Sequence, residues 1–354
     1  MENSILENTY INDLRTKIDF TSISFGNYKK TEVKKQLMDA INKNQIEQAC
    51  YWCAELVCAG HFIEIWECFL FYLGKYIHSG NPKIVVYLDK RYKVFRNIVS
   101  QSFISNELEL RNNFTVRQLF AEIIVVLSQS PKKHSFETLK IDRITEFDIT
   151  QIGRHLKATN PNFGDNIINA EDPKELFIII NEFTFQICQK NMRSACFWIE
   201  WIIEYEILCK GKKEPCKCGS RFYPVEHKFQ KDPIWILWDV ILKQGSLCGP
   251  FIENIVKSLL ELFCIRYTTG CCKKRKYLLY FAIELLTEPV NTQTELIADK
   301  EIIPVILEKV NIVYKQVKKK EIVPKTDYLF HGLNSNLEQT VQKLEIMREM
   351  DLYS

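Results

Sequence analysis

Apolar residues recur at helical spacing along most of the chain, and polar stretches separate the apolar runs. In the first run Val33, Leu37 and Ile41 lie four positions apart and therefore share one face of a helix. Gly60 suits the position just after a helix, and Pro82 suits the first turn of the next one. The pattern predicts two groups of five helices, over 31–43, 45–59, 62–78, 83–100 and 115–128, and over 175–190, 193–208, 233–243, 250–267 and 276–287.

One apolar motif occurs twice. Ala49-Cys50-Tyr51-Trp52 in the second helix of the first group returns as Ala195-Cys196-Phe197-Trp198 in the second helix of the second group. Trp66-Glu67 returns as Trp238-Asp239 in the third helices. Because Trp and Cys are rare residues, this recurrence indicates an internal duplication. We expect the repeated tryptophans to be core residues, since each lies at helical spacing with Leu, Ile and Phe.

The chain therefore divides into two helical units with extensions. We expect an all-α fold whose tandem five-helix units pack as in cyclins or in HEAT repeats. Glycine (12) and proline (11) are scarce for 354 residues, which favours long helices over a many-turned β fold. The predicted segments are an arm at 1–30, unit 1 at 31–128, a polar connector at 129–172, unit 2 at 173–288 with a Cys-rich insert at 209–233, and a helical C-terminal extension at 289–354.

Composition is that of an ordinary globular protein, with 46% hydrophobic and 26% charged residues. The formal net charge of +3 is too small to imply a polyanionic partner by itself. The N-terminus has no apolar core of signal-peptide length, and no uncharged apolar run reaches about 18 residues, so we expect no membrane partner. The 13 cysteines fall mostly within apolar runs, which indicates buried thiols in a reducing, intracellular compartment.

The insert contains a candidate metal site. Cys209, Cys216, Cys218 and His227 supply four nitrogen and sulfur ligands, the number and kind that a structural zinc ion takes. A bound zinc ion would also explain how a loop with little apolar content stays ordered. The spacing matches no strong zinc-finger pattern, and a flexible loop with free thiols is the alternative. Zinc is the one cofactor that the sequence suggests.

Two basic runs are candidates for contact with nucleic acid. One consists of Lys273, Lys274, Arg275 and Lys276, and the other of Lys318, Lys319 and Lys320. A continuous stripe joining them on one face would favour binding to phosphate. The alternative is a pair of solvated helix ends.

Sequence signatures of catalysis are missing. The chain contains no G-x-x-x-x-G-K-[ST], G-x-G-x-x-G, H-E-x-x-H or G-x-S-x-G motif. We therefore expect a non-enzymatic protein with no catalytic residues.

Four segments carry a resemblance to a known family. The stretches ACYWCAELVCAGH, GNPKIVVYLDKR, LRNNFTVRQLFAE and KELFIIINEFTFQI are similar to uncharacterised proteins of nucleocytoplasmic large DNA viruses (giant viruses). The resemblance covers most of the chain and implies a viral setting, with no functional residues to carry over. Two groups of five helices also resemble the paired boxes of cyclins and of transcription factor IIB, although the box motifs are absent.

Three functions follow as hypotheses. The first is an intracellular helical scaffold that binds another protein in a cleft between its two units. The second is a cyclin-like, nucleic-acid-linked factor in viral transcription or replication. The third is a minor structural component of a virion. The corresponding locations are the host cytoplasm or nucleus, or the virion itself.

Overall fold

The structure, a computed structural model, describes residues 9–13, 15–16, 18–100, 107–143, 145–147 and 152–322. This part of the chain is all-α, as the sequence predicts, and its only β pairing is an isolated bridge between Ile23 and Lys29. The α-helices are α1 Lys30–Asn42, α2 Ile46–Cys58, α3 Phe62–Tyr72, α4 Lys83–Ser100, α5 Glu107–Asn112, α6 Phe114–Gln129, α7 Glu175–Cys188, α8 Met192–Gly211, α9 Ile234–Leu247, α10 Pro250–Phe263, α11 Cys272–Thr287 and α12 Ile302–Lys318.

Helix ends follow the sequence signals closely. Gly60 adopts a φ of 74° just after α2, and its backbone N–H bonds the Val57 carbonyl at 3.0 Å, as expected at a helix C-terminus. Several ends differ from the prediction: α8 and α9 run three and four residues further, to Gly211 and Leu247, and α10 ends four residues earlier, at Phe263. The third helix changes into a π-helical turn over Leu73–Ile77, and α11 begins at Cys272 and not at Lys276. The helix expected near 337–350 lies outside the described residues.

Six helix pairs pack in both units. In unit 1, α1 contacts α2, α3 and α6; α2 contacts α3 and α6; and α4 contacts α6. In unit 2, α7 contacts α8, α9 and α11; α8 contacts α9 and α11; and α10 contacts α11. The units also differ, because α9 packs on both α10 and α11 in unit 2, whereas α3 makes no contact of similar extent with α4 or α6 in unit 1. The duplication itself stays a prediction, because a superposition of 31–128 on 173–288 is its direct test.

The two units meet along three elements. Helix α4 of unit 1 packs on α10 of unit 2, while α3 and the π-helical turn pack on α11. Gly74 allows the closest approach, since a Cβ atom there would lie 2.9 Å from the Tyr277 carbonyl carbon. The buried apolar side chains of both units belong to one continuous cluster. The units are thus halves of one hydrophobic core.

Segments from outside each unit cover its second and last helices. In unit 1, α12 packs on α2 and α6 and buries Val310, Tyr314 and Val317. In unit 2, the connector lies against α8 and α11: Phe147 contacts Trp201 with ring centroids 4.9 Å apart, and Phe136 stacks on Tyr280 at 4.9 Å.

Three of the four repeated tryptophans are core residues. Trp66, Trp198 and Trp238 are at most 1% exposed. Trp52 is only partly buried and packs against the rim of the core, so the prediction that it is a core residue is wrong. All 13 cysteines are free thiols and most are buried, although Cys188 and Cys248 are exposed.

Among the described helices, none has the length and apolarity that a membrane crossing requires.

Candidate functional site

A cleft of about 610 Å³ lies between the two units. We call it the inter-unit cleft. One wall is the start of α3 and the second half of α4, and the other is the end of α10 with the tip of the insert. Its lining residues are Gly60, Phe62, Ile63, Trp66, Asp89, Tyr92, Lys93, Phe95, Arg96, Val99, Ser100, Glu107, Leu110, Pro224, Glu261, Cys264, Ile265 and Arg266.

Aromatic side chains from two helices form the floor of the inter-unit cleft. Phe62 and Trp66 are four positions apart on α3, and Tyr92 and Phe95 are three apart on α4, so each pair shares a helix face. The Trp66 ring contacts Tyr92 edge-on at 5.0 Å and Phe95 at 5.8 Å. Its indole Nε1 is buried with no hydrogen-bond partner among the described residues. The floor is therefore apolar and rigid, with one polar group unsatisfied.

Two arginines stand at the rim of the inter-unit cleft, one from each unit. Arg96 of α4 and Arg266 after α10 are both exposed, and neither has an ion-pair or hydrogen-bond partner in the described part of the chain. Arg266 adopts a φ of 41° in the turn that ends α10. Burial raises the pKa of Tyr92 between them, and the positive charges of Arg96, Arg266 and Arg275 oppose this rise. The three guanidinium groups thus create a positive potential around one phenol.

Most acidic groups of the inter-unit cleft are already neutralised. The buried Asp89 carboxylate accepts from Lys93 at 2.8 Å, and Glu107 pairs with Arg111 at 2.6 Å. Glu261 is exposed and is the acid among the lining residues that has no ion pair with a described residue. When the internal ion pairs are set aside, the described lining keeps two unpaired cations, Arg96 and Arg266, and one unpaired anion, Glu261. The rim therefore favours an anionic group of a ligand.

The insert is held in place by a buried arginine. Arg221 is 5% exposed and makes a two-pronged contact with Asp172, with Nη1–Oδ1 and Nη2–Oδ2 distances of 2.9 and 2.8 Å. Its Nε also bonds Asp239, which in turn accepts a 2.5 Å hydrogen bond from Tyr223. Such planar, charge-assisted pairs are geometrically demanding and strong. They fix the backbone on both sides of residue 222.

Phe222 is consequently held out in solvent. Its side chain is 92% exposed, although both neighbours, Arg221 and Tyr223, are anchored inward. Pro224, two residues further on, lines the inter-unit cleft. A large apolar side chain on a rigid loop beside a cleft is typical of an interaction surface.

The candidate zinc ligands do not converge. Cys216 and Cys218 are neighbours, and a hydrogen bond from the Cys218 thiol lowers the pKa of Cys216. His227 opens a 3₁₀ turn with its side chain exposed, and Cys209 lies at the end of α8. Among the described residues, no group of three or more His, Cys, Asp or Glu side chains is placed to hold a metal ion. The predicted four-ligand zinc site is therefore not formed, and the Arg221 pairs order the insert instead.

Most side chains of the first basic run, residues 273–276, form ion pairs within the protein. Because α11 begins at Cys272, the run lies inside the helix and part of it faces the core. Lys276 pairs with Glu200 at 2.8 Å, and Lys273 pairs with Glu204 at 3.0 Å. Arg275 is 2% exposed and bonds Glu67 and the Phe263 carbonyl. Lys274 alone is exposed with no pair among the described residues.

The second run lies elsewhere on the molecule. Lys318, Lys319 and Lys320 end α12, which packs on unit 1, whereas α11 belongs to unit 2. Lys320 bonds the buried Glu55 at 2.9 Å. The expected basic stripe is therefore absent from the described residues, and the prediction of nucleic-acid contact through these seven residues loses its structural basis.

The residues of the inter-unit cleft had little signal in the sequence. Arg96 follows other basic residues on an amphipathic helix and is indistinguishable there from a solvated cation. The pair Phe222-Tyr223 was the feature of the sequence that could have indicated an interaction surface, because an aromatic pair is unusual in a polar loop.

Together the fold and the inter-unit cleft define an all-α helical protein with an open site shared by two halves. No protein-family model, curated protein or solved structure matches the chain.

Proposed function

We propose that this chain is a helical scaffold that binds another protein through the inter-unit cleft. The occupant is an acidic segment that carries an aromatic or long aliphatic anchor. One observation carries the proposal: Arg96 from unit 1 and Arg266 from unit 2 are exposed, neither is paired with another described residue, and both act on Tyr92 above an apolar floor. A carboxylate at the rim would pair with them while its apolar neighbour covers Trp66 and Phe95.

The acids of the inter-unit cleft favour a peptide over nucleic acid. The ion-paired acids leave two unpaired cations in the described lining, and the unpaired Glu261 would repel a backbone that carries a charge at every nucleotide. A peptide can place a single carboxylate beside the arginines and leave the rest of its length neutral. Because the inter-unit cleft is open to solvent, a peptide can also pass through it.

Phe222 extends the proposed surface beyond the cleft. Because its neighbours are anchored, the backbone that carries the Phe222 ring is already ordered before binding. Binding therefore loses no backbone entropy at this position. We infer that it enters an apolar recess of the partner, in the manner of the aromatic residues that dominate binding energies at interfaces.

The duplication belongs to the same proposal. Matching helix contacts in the two units support it, and the packing of α4 on α10 produces the cleft at the carboxyl ends of two equivalent helices. The viral setting and the intracellular location stay predictions, and the inter-unit cleft depends on neither.

Selection from a displayed library of random short peptides tests the proposal. We expect the selected sequences to be enriched in Asp or Glu next to an aromatic or long aliphatic residue. Combining Arg96→Ala with Arg266→Ala should then raise the Kd of a selected peptide at least about tenfold, a loss of about 1.4 kcal/mol. Phe222→Ala tests the extended surface with a full-length partner once one is known.

Lys315→Ala is the matched control, because Lys315 is an exposed cation on α12 away from the inter-unit cleft. It should leave the Kd unchanged. Selection of peptides with no acidic preference, or an equal loss in the control, would contradict the proposal. Binding of a single-stranded oligonucleotide that is lost in the arginine double variant would replace the protein partner with nucleic acid.

A further inference from the structure

The ammonium group of Lys320 lies among polar and aromatic groups of unit 1. Its Nζ donates to Glu55 Oε1 at 2.9 Å, to the Tyr28 hydroxyl at 3.0 Å and to the Tyr51 hydroxyl. It also lies 4.3 Å from the centre of the Tyr28 ring and 5.1 Å from that of Tyr51. The three hydrogen bonds match the donor number of a primary ammonium group, and the Tyr28 ring adds a cation–π contact. We call Tyr28, Tyr51 and Glu55 the ammonium cage.

Residues of unit 1 and its arm build the ammonium cage without help from α12. Glu55 is fully buried on α2 and accepts from the Ser24 hydroxyl at 2.8 Å and from the Gly26 backbone N–H at 2.7 Å. Tyr51, one turn earlier, donates to the same carboxylate at 3.1 Å. The turn that begins at Ser24 brings Tyr28 beside α2. The carboxylate is therefore already oriented, and its burial favours a cation next to it.

The space in the ammonium cage fits an unbranched alkyl chain. Gly26 forms part of its wall, and a Cβ atom there would lie 2.6 Å from Cδ of Lys320 and 2.7 Å from Glu55 Oε1. Any side chain at this position would displace the lysine stem. A glycine at such a close approach marks a site shaped around its occupant.

The second copy of the repeated motif also holds a basic side chain. The Phe197 and Trp198 rings of unit 2 are 5.1 Å apart at 78°, and the Tyr51 and Trp52 rings of unit 1 are 5.2 Å apart at 78°. On Phe197 stacks the imidazole of His155, from the connector, at 4.1 Å. In each unit, a basic residue from a segment outside the five helices thus contacts the first aromatic residue of the motif, Lys320 at the Tyr51 hydroxyl and His155 on the face of the Phe197 ring.

We propose that the ammonium cage is a binding site for the side chain of a lysine, filled in cis by Lys320. A lysine of a partner protein takes the same position when the end of α12 leaves or when Lys320 loses its charge. The ligand class is a primary alkylammonium ion, because each donor has its own acceptor in the cage. The proposal does not rest on the inter-unit cleft, which α12 does not line.

Chemical rescue tests the site in the full chain. Lys320→Ala should lower the Tm by about 2 °C or more, because it leaves the Glu55 carboxylate buried without its cation. Adding n-butylammonium chloride should restore the Tm, while equal concentrations of sodium chloride and n-butanol should not. Lys319→Ala is the matched control, since Lys319 is exposed and next in sequence; its Tm should neither fall nor respond to the amine.

Gly26→Ala separates a binding site from a packing contact. Added to Lys320→Ala, it fills the space for the alkyl chain, so n-butylammonium should no longer restore the Tm of the double variant. If Lys320→Ala does not fold, Lys320→Met keeps the stem, and ammonium chloride, which fills only the place of the Nζ atom, should then restore the Tm where sodium chloride does not. An unchanged Tm in Lys320→Ala overturns the proposal. So does a fall that sodium chloride reverses as well as the amine, or that the amine does not reverse.

Discussion

Two tryptophans at matching positions of the repeated motif differ in burial, although the sequence around them is nearly the same. Trp198 is 1% exposed, whereas Trp52 is partly exposed. A different segment covers each ring: in unit 1, Tyr28 of the arm contacts Trp52 edge-on with ring centroids 5.5 Å apart and leaves it partly exposed. In unit 2, His155 of the connector packs over Phe197 and approaches Trp198. Helical periodicity places both tryptophans correctly on an apolar face, but it carries no information about a covering segment distant in sequence.

This difference in burial predicts an order of stabilities. Trp198→Ala should cost about 3–5 kcal/mol of unfolding free energy, because it removes a large buried side chain and leaves a cavity. Trp52→Ala should cost about half as much or less, since its ring is partly solvated in the folded state. Urea unfolding curves of the two variants provide the comparison. Equal losses, or a greater loss in Trp52→Ala, would contradict the assignment of only Trp198 to the core.

At the scale of elements, the helices were predictable and their charge pairs were not. Every helix of the two units except the short α5 follows from apolar spacing, Gly60 and the prolines. The basic residues of α11 pair with Glu200, Glu204 and Glu67 on other helices, and Arg221 pairs with Asp172 across 49 positions. Ion pairs between distant segments depend on the tertiary arrangement, so a local run of lysines cannot show whether it is solvated.

The root of the insert contains a buried acid that should make stability depend on pH. Burial, together with the nearby charge of Asp232, raises the pKa of Glu206 on α8 to about 7, and Lys210 opposes this rise. The folded pKa lies above the ordinary value of 4.5, so the folded state keeps a proton that the unfolded state releases. The resulting stability is fully present below about pH 4.5 and is lost as the pH rises through about 7.

Replacing this acid should flatten the pH profile. Between about pH 5 and pH 8, the wild-type protein should lose up to about 2 kcal/mol more of unfolding free energy than Glu206→Gln, which has no proton to release. Denaturant unfolding at several pH values measures the difference. Asp232 and Lys210 are present in both proteins, so their own contributions to the pH dependence of the unfolding free energy cancel in the comparison. Parallel pH profiles would show that Glu206 is ionised throughout or is solvated in the folded state.

At the scale of the molecule, two units share one core and border the inter-unit cleft. The all-α class could be predicted from the sequence because helical periodicity is a local property. A cleft could be expected because the sequence indicates two helical units, and two packed units leave a space between them. The lining of the inter-unit cleft did not follow. It depends on α4 packing along α10, which brings residues 92–96 beside residues 261–266. That arrangement is a property of the interface and not of either sequence segment.

Hydrogen–deuterium exchange of the whole chain, with and without a selected acidic peptide, tests the central claim most directly. We predict that the peptide slows exchange in both units at once, in residues 92–100 at the end of α4 and residues 261–267 at the end of α10. Helices α1 and α7, which do not line the inter-unit cleft, should be unaffected and serve as internal controls. Slower exchange confined to one unit, or centred on segments away from the inter-unit cleft, would contradict a binding site shared by the two units.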